Sequence, residues 1–426
     1  MPIDLHLENQ VATYSGQEVL RGSVVFHNPH PIEFQDIRVT FRGRAKAKVQ
    51  KKKGPAAIAA TYRSKCVLFE QERILMDSDG AGTLPRDTYT WPFEFTFPSL
   101  VQSHARWPEK HPFRSDEHHP LPPSFAVEVA DEVRKLDCLV EYRIEAQVFK
   151  PQKSFLGKKT PLLEEVVRLN FLPPAAQLAR VEDLGTLFKH QREEMFTVRS
   201  LLLLPENRGR SLGFGEKVQS WLSPKQLPRF DFRVSFVYST RVVQSSPIQC
   251  VFDIVPFLEQ SSVTNHPDIV LQAVSMAVYS RTAARASPSL MGAIAGDVDE
   301  RIEILSKTSL GMPVRGQLDF NQVFGPMMFK HSDVSFATFN MARTYRLSVS
   351  ATFECAGKTM EFNATDLGLE IVSSISPPVK ENTTGTSDVS ELADTSASST
   401  AGREKDPPPS YSPGPSSPRA YEKGGH

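Results

Sequence analysis

The chain has 426 residues with 49 Lys or Arg and 49 Asp or Glu, so its formal net charge is zero. This balance argues against a globally basic nucleic-acid binder and against a globally acidic protein. Hydrophobic residues make up 40% of the chain, which is enough to build cores, whereas its 33 prolines disfavour long helices.

Widely spaced cysteines favour neither a disulfide scaffold nor a cysteine zinc site. They are Cys66, Cys138, Cys250 and Cys355. The N-terminal segment contains no apolar signal region, and no apolar run is long enough to cross a membrane. We therefore expect a soluble protein of a reducing compartment.

Apolar and polar residues alternate in several segments, which predicts β-strands that bury one face. In chain order the clearest are 37–49, 91–97, 142–148, 230–238 and 345–353. Helices do not alternate with these segments, so the expected class is all-β, built of antiparallel β-sandwiches. We predict one sandwich over residues 1–172, a linker over 173–195 and a second sandwich over 196–373.

The remaining residues, 374–426, form a segment of different composition. From residue 377 onward, 27 of 50 residues are Pro, Ser, Thr or Gly. Such a segment offers too little apolar surface to offset the entropy lost on ordering. We therefore predict a disordered Pro/Ser-rich tail.

The tail contains a Pro-Pro-x-Tyr motif formed by Pro408, Pro409 and Tyr411. Consecutive prolines favour polyproline II, and this motif matches the ligands of WW domains. A chance match in a proline-rich linker is the alternative, but the accessible context favours a ligand. Pro122-Pro123-Ser124-Phe125 has almost the same pattern, yet it precedes a predicted strand, so we expect Phe125 to be a core residue.

Basic residues concentrate in the segment 37–69, which contains no acid. The basic stripe comprises Arg38, Arg42, Arg44, Lys46, Lys48, Lys51, Lys52 and Lys53. Most alternate with apolar residues, which predicts an outward basic face on one strand. The stripe is either a solvated face or a contact for an acidic partner, such as anionic lipid headgroups, a phosphorylated tail or an acidic cytoplasmic segment.

Two patterns suggest chemistry only weakly. Gly209-Arg210-Ser211-Leu212-Gly213 matches a hydrolase motif that requires a strand–turn–helix context, which the sequence lacks. The cluster His111, Asp116, Glu117, His118 and His119 lacks metal-ligand spacing, so we expect a solvated loop. We predict no enzyme activity, no metal and no cofactor.

Five ordered segments resemble the N-terminal domains of arrestins. The segment Tyr14–Val24 resembles their opening hairpin, followed by the strand at 37–43. The segments 91–95, 121–125 and 140–144 resemble later strands in the same order. Together with the tail motif, the chain resembles alpha-arrestins, the arrestin-related trafficking adaptors. Residues 196–373 are similar to an arrestin C-terminal domain mainly by strand pattern and position.

The resemblance implies two immunoglobulin-like β-sandwiches in tandem and no catalysis. It implies an adaptor whose arrestin domains engage cytoplasmic segments of membrane transporters or receptors. Its tail motif would recruit a HECT-type ubiquitin ligase through WW domains, leading to ubiquitination and endocytosis of the cargo. Such a protein is cytoplasmic and is recruited to the plasma membrane and endosomes. The alternatives are a retromer-like sorting subunit that needs no ligase, and a serine hydrolase using Ser211.

Overall fold

The computed structural model describes the two predicted sandwich regions with several gaps. The described residues are 3–8, 13–52, 58–103, 107–151, 160–174, 189–207, 210–211, 213–215, 224–289, 292–328 and 333–374. Only the backbone is described at 58–59, 79–81, 224, 287–289 and 292–293. Most of the predicted tail, from residue 375 onward, lies outside the described residues.

The first sandwich consists of two antiparallel sheets. Its strands are β1 (Ile3–Leu7), β2 (Val19–Asn28), β3 (Ile32–Lys52), β4 (Ile58–Leu84), β5 (Asp87–Thr96), β6 (Phe125–Ala130), β7 (Arg134–Phe149) and β8 (Pro161–Leu169). One sheet has the order β1-β2-β5. The other has the order β4-β3-β7-β6, and β8 also pairs with β7. β3 is therefore flanked by long strands on both sides.

Large aromatic side chains fill the space between these sheets. Phe41, Phe97, Tyr142 and Phe171 are almost fully buried, and their rings form edge and stacked contacts. Burying one such side chain contributes about 1.5–3 kcal/mol. Gly43 is needed here because a Cβ at this position would lie 2.7 Å from the Tyr142 ring.

The second sandwich also consists of two sheets. Its elements are β9 (Lys189–Arg199), β10 (Arg229–Ser239), β11 (Arg241–Val243), β12 (Cys250–Phe257), β13 (Ile269–Ser289), β14 (Gly292–Lys307), β15 (Met312–Val314), β16 (Gly316–Asp319), α1 (Phe320–Phe324), β17 (Phe336–Ala337), β18 (Met341–Cys355) and β19 (Lys358–Val372). One sheet has the order β16-β12-β10-β9. The other has the order β11-β19-β18-β13-β14, with β15 on β13 and β17 on β18. The strands pair antiparallel except for the parallel pair β11–β19.

Phenylalanines again form the centre of the second core. Phe252 contacts the rings of Phe236, Phe320, Phe353 and Phe362. Phe320 is delivered by α1, whose N-terminus is capped by the Asp319 carboxylate accepting from two backbone N–H groups. The two cores are separate clusters, although residues of the second sandwich extend into the first core.

The all-β prediction and the tandem of antiparallel sandwiches are confirmed. The linker was placed at 173–195, whereas β9 already begins at Lys189; residues 175–188 lie outside the described part. β9 is an edge strand, so only two inward side chains, Phe196 and Val198, are buried. The other residues of β9 are mostly charged or polar, so its sequence does not show the apolar–polar alternation by which the other strands were predicted. No helix among the described residues is long and apolar enough to span a membrane.

Candidate functional site

The basic stripe lies on the outer face of the five-stranded sheet. Alternation along β3 turns Val39, Phe41 and Val49 into the core and the basic side chains outward. The outward residues are less exposed than a solvated face would require: the Arg38 side chain is 18% and that of Arg44 10% exposed. Strands β4 and β7 flank them on either side.

Carboxylates from neighbouring positions neutralise one half of the stripe. Arg38 donates to Asp36 at 2.6 Å and to Glu72 at 2.9 Å. Arg42 is paired with Glu145 from β7 and lies 3.6 Å from Glu70 of β4. The segment 37–69 contains no acid because Asp36, Glu70 and Glu72 lie just outside its two ends and Glu145 belongs to β7. This half of the stripe is an internally compensated network.

Glu141 is the shared partner of the next two cations. It accepts from Arg44 and lies 2.6 Å from the Lys46 ammonium. Burial raises the pKa of the Glu141 carboxyl, but the hydrogen bonds from Lys46 and Arg44 outweigh this, so its pKa is lowered overall. The carboxylate is therefore held ionised between cations.

Beyond Lys46 the compensation ends. The cation quartet, defined as Lys46, Lys48, Arg63 and Lys65, lines a groove of about 420 Å³ formed by β3, β4 and β7. The only carboxylate lining this groove within the described residues is that of Asp137. Partial burial and then the nearby Arg44 and Arg42 lower the pKa of Lys65. In the described structure, Lys48, Arg63 and Lys65 form no ion pair. Lys51 is exposed, Lys52 donates to the Asp131 carbonyl at 2.7 Å, and Lys53 lies outside the described residues.

A buried arginine joins the two sandwiches. Arg285 of β13 is 3% exposed, and its guanidinium donates to the carbonyl oxygens of Phe339 and Pro108. The same guanidinium lies 4.8 Å from the Trp107 ring centroid and 4.7 Å from that of Phe113. Burial lowers the pKa of Arg285, and within the described residues it forms no salt bridge. A loop of the first sandwich thus encloses a cation of the second.

Neutral hydrogen bonds complete this junction, which we define as residues 107–119, Arg285 and residues 338–340 with their contacts. His119 is 1% exposed; its Nδ1 donates to the Asp116 carbonyl at 2.8 Å, so its Nε2 accepts from the Thr338 hydroxyl at 3.0 Å. Asn340 donates to the Ala45 carbonyl at 3.2 Å and to the Ser64 hydroxyl at 2.9 Å. These bonds link β3 and β4 to the second sandwich.

One comparison with known families gives a match. Residues 3–162 match the family model described as Arrestin (or S-antigen), N-terminal domain. The first sandwich is arrestin-like. The match begins at the first residue of β1 and ends within β8, so it covers nearly all of the first sandwich. A comparison with curated proteins finds no match.

The prediction of a solvated histidine loop is correct for most of its residues and wrong for one. His111, Asp116, Glu117 and His118 are exposed, as expected, but His119 is buried against the second sandwich, as is Phe113 of the same loop. No group of three or more potential metal ligands occurs in the described part of the chain. Sequence reasoning also missed Arg285, since nothing near it in sequence marks a junction; Trp107 and Phe113 in a proline-rich loop were the available signal.

The other candidate sites fare differently. Phe125 of the arrestin-like domain is 5% exposed and begins β6, so the prediction that it is a core residue is confirmed. Ser211 is exposed, and no described histidine or acid hydrogen-bonds to it; Gly209 and Leu212 lie outside the described residues. Pro408, Pro409 and Tyr411 also lie outside, so the WW-ligand assignment stays a prediction.

Proposed function

We propose that this chain is a non-enzymatic trafficking adaptor that links membrane-protein cargo to a HECT-type ubiquitin ligase. The observation that carries the proposal is the arrestin-like match over residues 3–162, on a chain that also contains Pro408-Pro409-x-Tyr411. The family suggests a trafficking adaptor, and the tail motif suggests the ligase. The adaptor works in the cytoplasm and is recruited to the plasma membrane and endosomes.

The two parts of the chain have separate roles in this proposal. The tandem sandwiches hold cytoplasmic segments of transporters or receptors, because wide rigid sheets offer a large binding surface. The tail docks a WW domain, with the prolines in an aromatic groove and the Tyr411 ring in a second pocket. Proline has already restricted the backbone, so less entropy is lost when the motif binds.

Docking through one motif is weak by itself. A short peptide of this kind binds in the micromolar range, about −7 to −8 kcal/mol. Tyr411 offers the largest apolar group, so truncating it costs about 2 kcal/mol or more. Between residue 377 and the motif lie about 30 residues; a disordered chain of this length, as the composition predicts, would have an r.m.s. reach of about 30 Å. A bound ligase therefore samples lysines on the cargo and on this chain.

Ubiquitination of the chain itself tests the proposal without knowledge of the cargo. A WW-containing HECT ligase is reconstituted with the full chain and with the Tyr411→Ala and Tyr421→Ala variants. Tyr421 is the matched control because Pro418-Arg419-Ala420-Tyr421 lacks the second proline. We expect modification of the wild type and of Tyr421→Ala, and its loss in Tyr411→Ala.

Equal modification of the wild type and Tyr411→Ala contradicts the ligase assignment. That outcome favours the alternative, a retromer-like subunit that sorts cargo on the same fold without a ligase. The tandem sandwiches support this alternative equally well, since they do not depend on the tail. A hydrolase using Ser211 receives no such support, because the described residues around Ser211 supply no hydrogen-bonded base.

A further inference from the structure

The cation quartet combines two like-charged pairs in direct register. Lys46 of β3 lies opposite Lys65 of β4, and Lys48 lies opposite Arg63. Residues directly opposite on one face of a sheet have Cβ atoms about 5 Å apart, and like charges in this position destabilise the pair. The two pairs are two residues apart along each strand, or about 7 Å. Four cations therefore occupy a compact square.

The rest of the same face shows how this sheet normally places cations. Arg42 lies opposite Glu70 on β4, and Arg44 lies opposite Glu141 on β7. Each has a carboxylate in register, although Arg42 also faces Arg143 on β7. In the quartet only Lys48 has one, Asp137, whereas Lys46 faces Leu139 on β7, and Arg63 and Lys65 on the edge strand β4 lie opposite cations alone. Asp137, opposite Lys48, and Glu141, already shared with Arg44, are the nearby acids. The four cations of the quartet therefore have only two nearby carboxylates among the described residues, and one of these is shared with Arg44.

The groove has its own floor and a fixed orientation. Ala47 and Ser64 belong to its lining, and the Ser64 hydroxyl on the other side of the sheet donates to the Arg285 carbonyl at 2.8 Å. The strands that bear the quartet are therefore anchored from behind by the junction. This fixes the backbone positions from which the four cations project, so no backbone entropy is lost there when an anion binds.

We propose that the quartet binds the headgroup of a phosphoinositide lipid in a membrane. A ring with several phosphates presents its charges as a compact cluster, which matches a square of cations. An extended phosphopeptide presents phosphates in a line, which would match cations continued along one strand. Along β3 that continuation is interrupted on both sides. Arg38, Arg42 and Arg44 are already paired with carboxylates. After Lys48 the next position on the same face is the uncharged Gln50, and Lys52 donates to the Asp131 carbonyl.

Vesicle sedimentation of the full chain tests the site. The probes are phosphatidylcholine vesicles with phosphatidylinositol bisphosphate, vesicles with phosphatidylserine at matched total charge, free inositol trisphosphate and a doubly phosphorylated peptide. The test variant is Lys48→Thr/Arg63→Thr/Lys65→Thr. The control, Lys225→Thr/Lys307→Thr/Lys358→Thr, removes the same charge from exposed positions of the second sandwich.

Each cation at an anionic surface contributes about a fivefold factor in binding, so the test variant should bind phosphoinositide vesicles roughly a hundredfold more weakly. The control should bind like the wild type, and free inositol trisphosphate should compete. The melting temperature of the test variant should not fall, because repulsion is removed. Tyr411→Ala should bind vesicles normally, so failure of this site and failure of the ligase proposal are distinguishable.

Several results would overturn the proposal. Equal binding by the test variant and the wild type shows that the square is not the site. Equal binding to phosphatidylserine vesicles, or no competition by inositol trisphosphate, shows diffuse attraction to a surface rather than headgroup recognition. Quartet-dependent binding of the phosphopeptide without vesicle binding assigns the groove to a phosphorylated protein segment.

Discussion

Two arginines of this molecule are buried to a similar degree but satisfied in different ways. Arg44 on the outer sheet face shares the Glu141 carboxylate with Lys46, so the local charge is compensated by an ion. Arg285 in the junction is surrounded by carbonyl oxygens and two aromatic rings, so its charge is compensated by neutral dipoles and ring quadrupoles. The charge of Arg44 is therefore compensated by a carboxylate that can be protonated, whereas the charge of Arg285 is compensated by groups that do not titrate.

The difference shows where the fold depends on charge. A buried ion pair returns much of its desolvation cost through mutual attraction, and its removal in pairs is often tolerated. A buried cation held by neutral groups determines how those groups are arranged, since each carbonyl that loses its donor is left unpaired. We therefore expect the junction to be the more sensitive region.

Removing the junction cation should have the largest effect. Arg285→Met leaves the Phe339 carbonyl without its side-chain donor and loses both ring contacts, so we expect destabilisation by about 3 kcal/mol in chemical denaturation. Hydrogen exchange in residues 107–116 should accelerate. Arg281→Met is the matched control on the same strand: Arg281 lies 2.7 Å from Asp297 with its side chain 39% exposed. It should cost less than about 1 kcal/mol. Equal losses in the two variants would contradict the distinction.

Removing the shared carboxylate should have a smaller effect that depends on pH. Glu141→Gln keeps an amide oxygen that accepts a hydrogen bond but removes the negative charge that Arg44 and Lys46 share, at a cost of about 2 kcal/mol at neutral pH. The pKa of Glu141 is lowered from 4.5 in the folded state. Its stabilisation is therefore complete above the unfolded pKa and is lost as pH falls through the folded pKa. Denaturation curves at several pH values should show the two proteins converging in acid.

The exposed Glu128 provides the control for this pH effect. The pKa of Glu128 is also lowered, by the hydrogen bond and charge of Lys135, but its side chain is open to solvent. Glu128→Gln should change stability less than Glu141→Gln across the same pH range, because solvent screens the exposed pair. A cost equal to that of Glu141→Gln would show that burial between cations is not what matters.

The sequence predicted what depends on local alternation and missed what depends on distant pairing. Val39, Phe41 and Val49 revealed the inward face of β3 because strand geometry alone places them there. The basic stripe was visible, but its neutralisation was not: Glu141 and Glu145 belong to β7, about a hundred residues away. Register between strands fixes such pairs, and one sequence does not reveal register.

The junction could not be predicted from the sequence either, because its contacts also join residues that are distant in the chain. Arg285 and Pro108 are 177 residues apart, and their contact exists only after both sandwiches have folded and packed. Alternation also failed at β9, where the strand lies at a sheet edge and most side chains face solvent. Strands with two neighbours were predictable, and so was the edge strand β5, whereas the edge strand β9 and the contacts between the sandwiches were not.

The junction should still have one titrating component. Burial lowers the pKa of His119 from 6.5, and the charge of Arg114 acts in the same direction against Asp116. A neutral His119 is therefore favoured by folding, and stability should decline as pH falls through the unfolded value. Between about pH 8 and about pH 5, the wild type should lose more stability than His119→Gln. The measurement is the difference between the two denaturation series; parallel pH profiles would contradict the assignment.

The smallest effect should come from the cation quartet and have the opposite sign. In the absence of a ligand, Lys65 lies opposite Lys46 and adds repulsion, so Lys65→Thr should stabilise the fold by a few tenths of a kcal/mol. Threonine itself favours strands, and Lys307→Thr at an exposed strand position corrects for that contribution. The gain should shrink at high salt, because charges about 10 Å or more apart are screened at 0.1 M and closer ones are screened as salt rises. A salt-independent gain would assign the effect to strand propensity, and a loss would show that Lys65 contributes more through its packed side chain than it costs through its charge.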